Sequence, residues 1–349
     1  MRNYRIEIEE ALSGGAPKVV PFTYYFHQLT PKGVDLEPLR AKGLADAARS
    51  EVYRKIMPNV NVKQIDEPDG CMRIVYDTPV GVVHELWKRG AYEAMVPVEH
   101  IIKTKDDYRV AEFMVSDTRY EPAYEEFLAE RARVGDRGFV YGATWYSPLL
   151  DIQVMWLGQM KFCYDIADYP DAVMSLYEKL ANSHRRMYSV VADSPAEYVL
   201  YGGNIVPAML GPERVRDYVI PRWNEFADQL HEKGKKLGVH LDADNTLIAD
   251  YIADSRLDFI EALTPPPDCP ISVVEARRLW PDKKLWINFP GSVFLGSCER
   301  IRQATFDILE QAGDRKGFLM GVTEDVPAEH IVRGFSTILD AIRDYCGDS

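Results

Sequence analysis

From residue 170 onward the chain alternates helix-like and strand-like segments without interruption, and few folds accept such a rhythm. PDAVMSLYEKLANSHRRMYSVVAD (170–193) carries apolar residues at helical spacing, with Asp171 in its first turn. EYVLYGG follows as a short apolar run ending in glycine, the signature of a strand buried on both faces. PERVRDYVIPRWNEFADQLHEKG reads as an amphipathic helix opened by Pro212 and closed by Gly234. KKLGVHLDA, RLDFIEAL, KKLWINF and KGFLMGV then read as strands. The helices between and after them are NTLIADYIADS, SVVEARRLWP, CERIRQATFDILEQAG and VPAEHIVRGFSTILDAIRDY. Short strands joined by helices of this length imply right-handed crossovers and a parallel sheet.

VVPFTYYFH and GFVYGATWYS supply two more strands at the front of the same sheet. Between about 36 and 136 the rhythm breaks. There MRIVYDTPVGVVHELW reads as an antiparallel hairpin about a Thr-Pro-Val-Gly turn, while KTKDDYRVAEFMV and PAYEEFLAERARVG read as helices. No Gly/Ser/Pro-rich linker sets this region apart. The expectation is one α/β domain over residues 1–349, a (β/α)8 TIM barrel. An N-terminal helical and β-hairpin excursion (36–136) lies over the barrel mouth in this reading.

Composition narrows the function classes. The chain has 41 basic and 54 acidic residues, a formal charge of −13, and no cluster of Lys and Arg. It is ill-suited to tracking a phosphate backbone or an anionic membrane, so no nucleic-acid or membrane partner is expected. The five cysteines form no C-x-x-C pair and are irregularly spaced, which reads as free thiols in a reducing compartment. No segment has signal-peptide character or 18 consecutive apolar residues, and a cytoplasmic location is expected. No surface patch identifies an interface, and a homodimer stays open.

Parallel barrels place chemistry at the carboxyl ends of their strands. Those ends carry Tyr24, Tyr25 and His27; Trp145 and Tyr146; Asn204; His240, Asp242 and Asp244; Glu261; Asn288; and Glu324 with Asp325. The sharpest feature is GVHLDADN, because residues i and i+2 of a strand share a face and His240 projects with Asp242. With Glu261 and Glu324 from later strands, these two make a candidate set for zinc or another divalent metal. A hydrogen-bonded His–Asp pair without metal is the alternative. Asp242 and Glu261 are the candidate catalytic groups, since a carboxylate ending an apolar strand is costly to bury unless paired or functional. Tyr25, His27, Trp145, Asn204 and Asn288 are candidate substrate contacts. The other histidines, His84, His100, His184, His231 and His330, read as surface residues.

The order of elements resembles the uroporphyrinogen decarboxylase superfamily, most clearly from Tyr198 to Tyr345. YVLYGGNIVPAMLGPERVRDYVIPRW is similar to the family's strand, loop and helix with its S-P-E-x-F-x-x-F-x-x-P pattern. GVHLDADNTLIADYIADSRLDFIEAL is similar to its H-x-C-G segment, and GFLMGVTEDVPAEHIV to its final strand. TPVGVVHELW and YRVAEFMVSDTRYEP resemble the insert of the methyltransferase-like branch, whose members work with corrinoid proteins. Two departures carry weight. PFTYYFHQLTPKG lacks the arginine that grips porphyrinogen carboxylates in the decarboxylases, and Asp242 stands where the thiol-directed methyltransferases have a zinc-binding cysteine.

The resemblance therefore implies a metal-assisted methyltransferase. It would move a methyl group from a small methoxylated or methylated-amine donor to a separate corrinoid protein, because no D-x-H-x-x-G corrinoid signature occurs in the chain. A lyase acting on a small carboxylated substrate is the second reading, and a barrel that has lost its chemistry the third.

Overall fold

A computed structural model describes residues 2–25, 33–90, 95–324 and 326–347. The chain divides into two compact units, one of residues 1–52, 124–144 and 195–349, the other of residues 53–123 and 145–194.

The first unit is a closed barrel of parallel strands. In chain order these are β1 (Phe22–Tyr25), β2 (Leu44–Glu51), β9 (Gly138–Tyr146), β10 (Tyr198–Gly202), β11 (Lys236–His240), β12 (Phe259–Leu263), β13 (Lys284–Asn288) and β14 (Phe318–Val322). Their order around the barrel is β1-β14-β13-β12-β11-β10-β9-β2. The expected (β/α)8 architecture is present. Seven of its strands lie where the apolar runs place them, but β2 falls inside the stretch expected to be excursion. Its sequence, LADAARSE, is alanine-rich and carries no strand signal. The interior explains the composition: Ala45 and Ala47 face the barrel axis, where Tyr25, Phe139, Tyr141 and Trp286 fill the space. Small residues on one strand make room for large ones on its neighbours.

That interior is a connected set of rings. Tyr141 and Trp286 meet edge to face at 5.9 Å, as do Phe139 and Tyr198 at 5.3 Å, a geometry favoured by the ring quadrupole. The helix Tyr4–Leu12 closes the amino-terminal end, adding Ile8, Ala11 and Leu12 to the same core. It is capped by Asn3, whose side chain accepts from the Ile6 amide. Gly238 of β11 leaves room for the Phe259 ring, which would lie 2.1 Å from an added Cβ.

The second unit has its own sheet, of order β4-β5-β6-β7, built from β4 (Asn61–Glu67), β5 (Cys71–Thr78), β6 (Gly81–Arg89) and β7 (Met95–Glu99). The expected hairpin is β5–β6, closed by Pro79 and Val80, with Thr78 opposite Gly81. A two-stranded pair, β3 (Tyr53–Ile56) with β8 (Arg119–Pro122), completes its strands. Helices Asp107–Asp117 and Pro170–Ala192 pack together beside them. The second unit begins at residue 53 rather than at the 36 expected for the excursion, the helix Tyr124–Val134 belongs to the barrel unit, and residues 145–194 belong to the second.

His184 also departs from expectation. It is buried in the Pro170–Ala192 helix, and burial together with the nearby Lys55 ammonium lowers its pKa to about 3. Among the described residues, no helix is long and apolar enough to cross a membrane.

Candidate active site

The barrel register sets His240, the last residue of β11, directly beside Glu261 of β12. Both side chains take the inward parity, His240 following Gly238 and Glu261 following Phe259. Glu261 is 0% exposed, so its carboxylate depends on hydrogen bonds. It has one for each oxygen. The Tyr25 hydroxyl donates to Oε1 at 2.6 Å, and His240 Nδ1 lies 2.6 Å from Oε2. On the other side of the imidazole, Nε2 is 3.5 Å from Asp242 Oδ2. His240 thus sits between two carboxylates, one sealed in the core and one at the mouth.

Electrostatics follow from that placement. Burial alone would drive the imidazole toward neutrality, but the Glu261 charge, hydrogen bonds donated to both carboxylates and the Asp242 charge outweigh it, raising the His240 pKa to about 10. Burial likewise opposes ionisation of Asp242, yet its pKa is lowered, chiefly through His240 and then through backbone amides. The Tyr25 phenol is pushed well above its ordinary range by burial and by Glu261. The ring of His240 is thus held toward its protonated form, with Tyr25 as a neutral donor.

Two backbone features hold this geometry. Gly203, just after β10, lies against the His240 main chain: an added Cβ would fall 1.6 Å from the His240 carbonyl oxygen. Ala262 adopts φ 64°, an unusual value for a residue with a Cβ, at the register shift between Glu261 and Leu263. This bulge sets the direction in which β12 leaves Glu261 and leads into the Thr264–Pro270 loop. The strain lies next to the buried carboxylate it helps to aim.

The remaining candidates fall in different places. Asn288 is fully buried and braces adjacent strand ends, donating to Thr264 Oγ1 at 3.0 Å and accepting from the Thr323 amide at 2.9 Å. Asn204 is exposed in the left-handed region, φ 60°. Trp145 is 53% exposed and belongs to the second unit. His27 and Asp325 lie outside the described residues. Glu324 is exposed in the loop after β14.

The structure adds residues that the sequence reading passed over. Tyr141 shares the inward parity of Phe139 on β9 and lies near both Tyr25 and Glu261. Strand alternation alone would have singled it out. Cys269 donates through Sγ to the Asp242 carbonyl at 3.3 Å, and burial followed by Asp244, Asp242, Asp268 and Glu324 raises its pKa. It sits in a proline-rich loop where no periodicity points to it.

Among the described residues, no group of three His, Cys, Asp or Glu side chains is arranged to hold a metal ion. Specifically, His240, Asp242, Glu261 and Glu324 do not form such a group. Glu261 has one oxygen bonded to a phenol and the other to the imidazole. It acts as the partner that fixes His240.

The sequence profile described as Uroporphyrinogen decarboxylase (URO-D) matches residues 147–345, more than half of the chain. The chain belongs to the uroporphyrinogen decarboxylase family. Among solved structures, this family member is similar to a methyltransferase from Methanosarcina mazei, at 11% identity and a TM-score of 0.61, with 99% of each chain covered. That likeness extends the shared fold over the whole length. A protein assigned as a vitamin-B12-independent methionine synthase from Listeria monocytogenes is also similar, at 13% identity and a TM-score of 0.43, covering 64% of this chain and 70% of that one. No curated protein matches the sequence.

Proposed function

We propose that this family member is a methyltransferase that takes a methyl group from a small methoxylated or methylated-amine donor and delivers it to a separate corrinoid protein. His240 is the acid of the reaction. The observation that carries the reading is the clamp on His240: Glu261 at Nδ1 and Asp242 near Nε2 keep the ring protonated and fixed at the strand ends. Membership of the family and the full-length fold shared with a methyltransferase support it.

When a methyl ether is cleaved, the methyl carbon leaves toward the acceptor and the electron pair of the broken bond stays on oxygen. The developing alkoxide needs a proton, which His240 Nε2 supplies. Glu261 keeps Nδ1–H fixed and stabilises the cation until transfer. A methylated ammonium donor leaves as the neutral amine without needing that proton and would rest its charge against Asp242 instead. No step is assigned to a metal.

The test combines the protein with a reduced corrinoid protein and a panel of methyl donors, following the methylcorrinoid absorbance and the demethylated product. Methyl transfer that is lost in His240→Gln supports the assignment. A wild-type protein that methylates no corrinoid acceptor with any donor in the panel removes it.

A decarboxylase acting on a small carboxylated substrate is the second reading. The same imidazolium could protonate the carbanion left by departing carbon dioxide, and the family profile favours this chemistry. Carbon dioxide release without methyl transfer would identify it. Uroporphyrinogen itself is disfavoured by the missing arginine in residues 21–33.

A further inference from the structure

Strand β2 runs Leu44–Glu51, and its inward positions are set by Ala45 and Ala47, both in the barrel core. The next residue of that parity is Arg49, one step further toward the carboxyl end. Its neighbour in the register is Tyr141, itself inward and coupled electrostatically both to Arg49 and to Glu261. On the opposite side, Ala47 pairs with Tyr25, the phenol that holds Glu261. Arg49 is exposed and forms no hydrogen bond or ion pair with another described residue.

An unpaired guanidinium at this position calls for an explanation. Nearby arginines of the same unit are engaged: Arg40 is bidentate to buried Asp46, and Arg2 bonds Glu7. The mouth is otherwise rich in carboxylates, with Asp242, Asp244, Asp268 and Glu324 gathered around Cys269. Arg49 lies one inward position beyond the buried Ala45 and Ala47, beside Tyr141. Its planar fork of donors is matched to a carboxylate, which it can hold through two parallel hydrogen bonds.

We infer that Arg49 is the anion-recognition residue of the site, and that the small molecule bound beside His240 carries a carboxylate. This inference rests on the proposed function for the identity of the reacting group, but the anion subsite stands without it. Arg49 would orient the substrate, leaving the methoxy group (or the departing carboxylate of a lyase substrate) toward the imidazolium. It would act as a specificity residue and exchange no proton.

The experiment uses matched probes: 4-methoxybenzoate against 4-methoxytoluene, and phenylacetate against toluene. Binding is measured by calorimetry with the whole protein, and methyl transfer is followed separately with a reduced corrinoid protein. The carboxylate member of each pair should bind at least about tenfold more tightly, a difference of roughly 1.4 kcal/mol. Arg49→Met should abolish that preference while leaving the unfolding temperature unchanged, and Arg49→Lys should restore part of it. If a methoxy acid turns over, Arg49→Met should raise KM far more than it lowers kcat. Equal binding within each pair, failure of both carboxylates to bind, or a preference that survives in Arg49→Met overturns the inference. An Arg49-dependent preference without any methyl transfer would retain the subsite and refute only the proposed reaction.

Discussion

Replacing Glu261 by Gln isolates the charge that holds His240 as a cation. The substitution keeps the side-chain shape and an oxygen able to accept from His240 Nδ1, so it removes the anion with little change in volume. In the native protein the His240 pKa rises from 6.5 to about 10 even though burial pushes it down. At about 1.4 kcal/mol per unit, that shift corresponds to roughly 5 kcal/mol favouring the folded, protonated state, shared between Glu261 and Asp242. A group whose pKa is raised on folding contributes its full stability below the unfolded value and loses it as pH climbs through the folded one. Native stability should therefore decline between about pH 6.5 and pH 10 as the unfolded chain releases this proton first.

In Glu261→Gln the buried ring retains only Asp242, at 3.5 Å and partly solvated. Its pKa should fall by at least about one unit, and the decline should move to lower pH and shrink. Urea unfolding across pH 6–10, read as the difference between native and variant, removes contributions from other titrating groups. Resonances of 15N-labelled histidine report the ring directly. An imidazole in the native protein that titrates near 6.5, or identical pH profiles for both proteins, would refute the clamp and with it the acid assigned to the reaction.

Other perturbations test the support around this pair. Tyr25→Phe leaves Glu261 Oε1 without its donor in a fully buried setting and should cost about 1–3 kcal/mol, seen as a lower urea midpoint; an unchanged midpoint would mean that the bond contributes nothing. Gly203→Ala should displace the β11 end and abolish activity, because its Cβ would collide with the His240 carbonyl; a crystal structure with His240 undisturbed would contradict this. His184 must stay neutral to remain buried, its pKa lying near 3, so stability is complete above pH 6.5 and drains away as pH falls toward 3, by up to about 5 kcal/mol. His184→Gln should flatten that acid limb in circular-dichroism titrations, and an unaltered limb would place the acid sensitivity elsewhere.

What the sequence disclosed, and what it hid, follows from how each signal is written into the chain. The buried parallel strands of the second half announce themselves because each is an apolar run bounded by turn residues, as in YVLYG and KLWIN. Strand β2 gave no such sign, since its alanines are dictated by rings on other strands, and a residue chosen to fit a neighbour carries no local propensity. His184 misled for the opposite reason: RR beside it at 185–186 makes the helix face look polar, while the ring itself turns inward.

The same distinction governs the site. Strand alternation put His240 with Asp242, strand order brought in Glu261, and the register sets His240 opposite Glu261. It did not reveal how the carboxylate is used, because a buried Glu with two hydrogen-bond partners and a metal-binding Glu look alike in sequence. Tyr25 bonds Oε1, a contact that joins residues 236 apart in the chain. Closing the barrel brings β1 next to β14, so the phenol from the first strand can reach the carboxylate from the sixth. The bracing of His240 is thus a consequence of closure: an open sheet with the same strands would leave Glu261 without Tyr25, and the imidazole without a fixed partner.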